Sequence, residues 1–190
     1  MTIASYIKQL DHLLKPKGFM RQRHTWNRRF AEYIDVVDIQ VAKSGDALTV
    51  NLGVLEPEAY AAVWNEPLPA LLKEPLCIVR TRLSLLVHQS ERWWDLNDKD
   101  GPLEIFEVAS SFGLPFLSRM HSIGEMKDFL EEQGVRKLTY PLPSIYLGIL
   151  LIRGGETAAG CSLLRDRASR TTGPWRSRIA KVIERLCKTS

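Results

Sequence analysis

The chain reads as an α+β protein: an N-terminal helix packed on a mostly antiparallel sheet of about four strands, followed by a helical C-terminal half. Two stretches carry that prediction. Ile3, Tyr6, Ile7, Leu10, Leu13 and Leu14 recur at the i, i+3, i+4, i+7 spacing of an amphipathic helix. Leu48-Thr49-Val50-Asn51-Leu52-Gly53-Val54 alternates apolar and polar residues, as a strand with one buried face does. A length of 190 residues suits one domain with an appended helical piece, which we place at 1–120 and 121–190.

The elements follow in order. Pro16-Lys17-Gly18 closes the first helix at about residue 15, and strands are expected over roughly 24–30, 34–43 and 47–55. Ser44-Gly45-Asp46 supplies the turn between the last two, and the first helix is expected on the sheet's apolar face. A short helix over 58–64 breaks into a surface excursion at Pro67, Pro69 and Pro75. Residues 77–83 read as a fourth strand, with Ile78, Arg80 and Arg82 on one face, while 84–96 shows no clear period. Pro102 opens a helix that turns Leu103, Phe106, Ala109 and Phe112 inward and that Pro115 stops. Ser122-Ile123-Gly124-Glu125 is a capping box, and its helix ends before Gly134. Helices over 146–153, 157–168 and 175–188 complete the chain, the last with an apolar stripe of Ile179, Val182, Ile183 and Leu186.

Composition narrows the function classes. The net charge of +4 is uneven, since residues 153–190 carry nine Lys or Arg against three Asp or Glu. Cys77, Cys161 and Cys187 are widely spaced with no C-x-x-C pair, and read as packed free thiols. His12, His24, His88 and His121 are scattered, so neither a metal nor a cofactor is expected. The start lacks the pattern of a signal peptide, and the most apolar window, 145–152, is too short to span a bilayer. A cytoplasmic protein without membrane association is the expectation.

Several short motifs follow one another in a defined order. They are Lys17-Gly18-Phe19 after the first helix, Trp26-Asn27-Arg28-Arg29, Val37-Asp38-Ile39-Gln40 with Lys43-Ser44, and Thr49 to Val54. Arg80-Thr81-Arg82-Leu83, Trp93-Trp94 and Gly113-Leu114-Pro115-Phe116-Leu117 follow. In this order they resemble the bacterial family catalogued as domain of unknown function 4304, over about residues 10–117. The resemblance implies an α+β domain with an antiparallel sheet, and it supplies no activity and no catalytic residue.

The sharpest candidate surface is the polar face of the sheet. Arg80 and Arg82 stand two apart on a strand and present paired forks suited to a carboxylate or phosphate. Asn51 is expected on the same side, Asp38 and Gln40 (or else their neighbours) join it, and Trp26 or Trp94 is the expected wall. The bland alternative is that Asp38 pairs with an arginine and the amides bond to backbone. A second candidate is the basic run 21–29, whose interleaved Trp26 suits phosphate tracking and base stacking, or else a charged edge. The third is the last helix, where Lys181, Arg185 and Lys188 share a face, a pattern the helix dipole also favours.

Nucleotide-binding glycine loops, nucleophile elbows and zinc-protease helices are missing from the sequence. Acid pairs such as Asp35/Asp38 and Glu131/Glu132 have no third positioned group. The expectation is therefore a non-catalytic protein-interaction module in a bacterial cytosol, of which an immunity or toxin-neutralising protein is one form. The alternative is a binder of a small anionic ligand or nucleic acid through Arg80, Arg82 and the basic C-terminal helix.

Overall fold

The computed structural model describes residues 2–88 and 90–187. The chain forms two compact units, one from Met1–Leu55 with Pro69–Arg119, the other from Glu56–Leu68 with Met120–Ser190. The excursion after the third long strand thus returns to the first unit only after contributing a helix to the second.

In the first unit, α1 (Ile3–Leu14) buries Tyr6, Leu10, Leu13 and Leu14, four of the six residues its period marks. The sheet comprises β1 (Met20–Gln22), β2 (Thr25–Phe30), β3 (Tyr33–Val41), β4 (Ala47–Leu55), β5 (Val79–Arg82) and β6 (Trp94–Asp95). Its order is β1-β2-β3-β4-β5, with β6 also pairing β4, and every pairing is antiparallel. The two short strands, β1 and β6, extend the expected sheet. Among these elements β1 is separated from β2 by a two-residue hairpin, Arg23-His24, because Gln22 pairs with Thr25.

Leu48, Val50, Leu52 and Val54 are all buried on one face. Trp26 lies in the same register row as Val37 and Leu52, and its indole N–H donates to Asp11 of α1 at 2.8 Å. That bond seats α1 on this face, as does the Tyr6 hydroxyl, which donates to the Asp95 carbonyl at 2.7 Å. Gly53 permits close approach on the other face, where a Cβ would stand 2.6 Å from Cys77 Sγ. Cys77 is buried and free, and burial pushes its thiol well above the ordinary range.

The helix after Pro102 departs from expectation. α3 (Gly101–Val108) runs into a π-helical turn, Ala109–Gly113, and then α4 (Leu114–Arg119). Pro115 does not stop it, because Leu114 N–H bonds to the Ala109 carbonyl and the frame shifts just before the proline. Ala109 turns inward as expected, but Pro102 and Ile105 are buried ahead of it in place of Leu103 and Phe106, and Leu103 and Phe112 are exposed.

The second unit packs α2 (Pro57–Trp64), α5 (Ile123–Glu132), α6 (Leu142–Arg153), α7 (Thr157–Arg170) and α8 (Gly173–Leu186). Ser122 caps α5 as its capping box requires, its hydroxyl accepting from Glu125 N–H. Glu56 caps α2 by accepting from two backbone N–H groups, and Arg153 pairs with it at 3.3 Å. α6 and α7 pack closely: a Cβ on Gly160 would stand 2.5 Å from the Gly148 carbonyl oxygen. Cys161 on α7 and Cys187 beyond α8 form a disulfide with Cα atoms 5.7 Å apart. This corrects the reading of both as free thiols. A separation of 26 residues gives no pairing signal, and only the return of α8 along α7 brings them together.

Among the described residues no helix is long and apolar enough to cross a membrane.

Candidate functional site

One row of register crosses four strands of the first unit: Thr25 on β2, Asp38 on β3, Asn51 on β4 and Arg82 on β5. Directly paired residues of antiparallel strands share a face, so these side chains stand together, with Gln40 and Arg80 two residues along. Asp38, Gln40, Asn51, Arg80 and Arg82 are therefore on one face, as the sequence suggests. Trp26 and Trp94 are not. They are 0% and 1% exposed on the opposite face, because Trp26 is in the row of Leu52 and Trp94 pairs with Leu48. Trp93, alternating to the other side, is the indole that reaches this surface.

Most of the charges here are already matched. Arg80 grips Glu74 through two bonds, Nε to Oε1 at 2.7 Å and Nη2 to Oε2 at 3.0 Å. Arg82 pairs with Glu91 and lies 5.2 Å over the Trp93 ring, which is half-buried. Asn51 donates to Gln40 Oε1 at 3.2 Å. The two guanidinium forks that suited a bound anion are held instead by Glu74 and Glu91, neither of which the strand pattern marks. Asp38 does not pair with either arginine. Its carboxylate accepts from the Thr25 hydroxyl at 2.5 Å. Burial raises its pKa above the ordinary range, outweighing the Thr25 bond and the charges of Lys73 and His24.

Asp35 cannot assist Asp38. It faces the α1 side, where Arg28 Nη2 and Nε reach its Oδ2 at 2.7 and 2.9 Å. Glu131, the other acid of a sequence pair, is taken by Arg136, which holds its carboxyl below the usual range. Among the described residues no group of three or more His, Cys, Asp or Glu is placed to hold a metal ion.

The basic run 21–29 is divided by the hairpin. Arg21 pairs with Asp11 at 3.0 Å, and Arg28 is committed to Asp35. Arg23, His24, Thr25, Asp38 and Lys73 instead line a cleft of about 520 Å³ with Arg21, Ile7 and Ile39. The spacing of Arg23 and Lys73 in sequence gives no hint of this meeting.

In the second unit, Lys181 and Arg185 line a separate cleft of about 580 Å³. Arg185 donates to the Ala61 carbonyl at 3.4 Å and Asn65 Oδ1 at 3.2 Å, and Arg178 sits 4.2 Å over Trp64 while donating to the Val63 carbonyl. Both arginines thus serve the C-terminal end of α2, where cations oppose the helix dipole. Lys181 is exposed, and Lys188 lies outside the described residues.

A family model described as a domain of unknown function (DUF4304) matches residues 10–108. No curated protein and no solved structure matches the chain. The match takes in α1 from Leu10 onward, the whole sheet and α3, and stops short of the Gly113-Leu114-Pro115-Phe116-Leu117 motif. With more than half of its length matched, including every strand that carries the polar face, the chain belongs to the DUF4304 family.

Proposed function

We propose that the chain is a non-catalytic protein-interaction module whose contact surface is the polar sheet face at Arg82 and Trp93. The observation that carries this reading is the Arg82–Trp93 stack. The indole is half-exposed, the guanidinium lies on it, and Glu91 holds the guanidinium in place. Tryptophan and arginine dominate binding energy at protein interfaces, and a pair already fixed in position loses little freedom when a partner arrives. The neighbouring Asn51–Gln40 pair and the Arg80–Glu74 pair supply polar groups of balanced charge around it.

The non-catalytic part of the reading is supported by the separation of the acids: Asp35 and Asp38 face opposite sides of one strand. Neutralisation of a toxin is one form such a module takes. The compartment turns on Cys161 and Cys187, since a bridge that persists in the cell marks an oxidising compartment and an open pair the cytosol of a bacterium. Alkylation of cell extracts under acid quench separates the two.

The test is capture from host lysate at physiological salt, with nuclease, on immobilised wild type and on R82A/W93A. A protein retained by the wild type and lost on the folded double variant is the expected result. Identical capture on both, or capture of nucleic acid alone, overturns the proposal.

A further inference from the structure

Cations are abundant in this chain, and many are held by carboxylates of the chain itself. Arg28, Arg80, Arg82, Arg136 and Arg170 all make ion pairs. The cleft at the β1–β2 hairpin differs. Among the described residues neither Arg23 nor Lys73 makes an ion pair, and both are exposed beside His24 at its rim. Arg21 joins them, already tied to Asp11, and donates from Nη1 to the Arg23 carbonyl at 2.9 Å, which steadies the hairpin tip.

The backbone at the tip is also unusual. Arg23 has φ of 57°, a left-handed conformation in a two-residue hairpin where glycine or asparagine is unstrained. An arginine kept there places a cation at the cleft mouth at a conformational cost.

We propose that this cleft binds a small phosphorylated molecule, its phosphate held by Arg23 and Lys73 and its organic part against Ile7 and Ile39. A volume of about 520 Å³ is in the range of small-molecule sites. Guanidinium and ammonium are the groups that recognise phosphate, the first by a planar fork and the second as a point charge. Asp38 is the one carboxyl lining the cleft, and its burial disfavours the ionised form that would repel the ligand. A nucleic acid fits less well. Backbone tracking needs a continuous basic stripe, and along β2 Arg28 faces the other side, committed to Asp35, while uncharged Thr25 and Asn27 separate the cleft from Arg29.

The cleft borders the polar face at Thr25 and Asp38 but includes neither Arg82 nor Trp93, so either proposal can fail alone. The experiment is a titration of the full chain with inorganic pyrophosphate at physiological salt, followed by amide NMR shifts and calorimetry. A parallel titration uses a single-stranded oligonucleotide. Saturable binding is expected, with shifts centred on Arg23, His24 and Lys73. R23A/K73A should weaken it at least tenfold, and R82A/W93A should leave it unchanged. R23G relieves the backbone while removing the cation, so it keeps the fold and must still weaken binding. Shifts that never saturate, shifts centred on α8, binding unchanged in R23G and R23A/K73A, or binding of the oligonucleotide alone would overturn the assignment.

Discussion

Asp35 and Asp38 lie three residues apart on β3 and face opposite sides of the same sheet. Asp35 is fully buried on the α1 side and meets the guanidinium of Arg28, its direct cross-strand neighbour, itself flanked by Phe19 at 4.6 Å and Phe30 at 5.5 Å. Asp38 has a hydroxyl for a partner and cations only at a distance. The difference separates two uses of one residue type. A carboxylate whose counter-ion is fixed by strand register is part of the fold, and one left to a hydroxyl in a buried place has its charged form disfavoured instead. The same contrast divides the arginines: Arg28, Arg80 and Arg82 are bound by carboxylates of their own chain, and Arg23 is not.

The largest test of the comparison is Asp35→Ala. Removing one partner strands the Arg28 charge between two aromatic rings, and breaking a buried pair this way costs about 3–5 kcal/mol. Denaturant unfolding should show that loss, and a loss below about 1 kcal/mol would dissolve the distinction between the two faces. Glu74→Ala comes next. Glu74 is 8% exposed and its partner Arg80 is more open to water, so the expected loss is about 1–3 kcal/mol. It also releases the Arg80 fork, and pyrophosphate affinity rising at the sheet face of this variant would show that pairing alone had silenced it. Arg82→Ala should cost no more than about 1 kcal/mol, because Glu91 is exposed and the pair is screened by solvent. Thermal unfolding that places Arg82→Ala above Glu74→Ala in cost would invert the ranking.

How much of this was legible follows from where each signal resides. The alternation of Leu48 to Val54 and the spacing of Tyr6, Leu10 and Leu13 report burial directly, so the helix, the long strands and the polar face could be read. Strand alternation also placed Asp38, Gln40, Asn51, Arg80 and Arg82 together. It could not show that Glu74 and Glu91 would reach Arg80 and Arg82, since both lie in irregular segments without a period. Trp26 and Trp94 suit a pocket wall by side-chain type, but strand parity turns both to the opposite face. The hairpin at Arg23-His24 carries none of the glycine or asparagine that marks such turns, so nothing in the sequence sets β1 apart and a strand is expected only from about residue 24. The disulfide was hidden for a related reason: helix packing, not spacing, brings Cys161 to Cys187.

The smallest change, Asp38→Asn, asks whether Asp38 is the poised member of the pair. The substitution keeps an acceptor for the Thr25 hydroxyl and removes the ionisable group. Because the folded-state pKa is raised above the ordinary value of 3.8, the folded protein holds this proton more tightly than the unfolded chain does. The stabilising contribution is therefore complete below about pH 3.8 and is lost as pH rises through the folded-state value. As pH rises above 3.8 the wild type carries a growing penalty for ionising Asp38 in a buried place, and the asparagine variant does not. Asp38→Asn should accordingly unfold at a slightly higher temperature than wild type at pH 7, with the gap closing toward pH 3. Asp11, held below the ordinary range by Lys15, Trp26 and Arg21 despite its partial burial, should show the reverse sign when changed to asparagine: a loss at pH 7 that fades as pH falls. Two curves that shift in the same direction would mean that burial and pairing do not divide these carboxylates as their surroundings indicate.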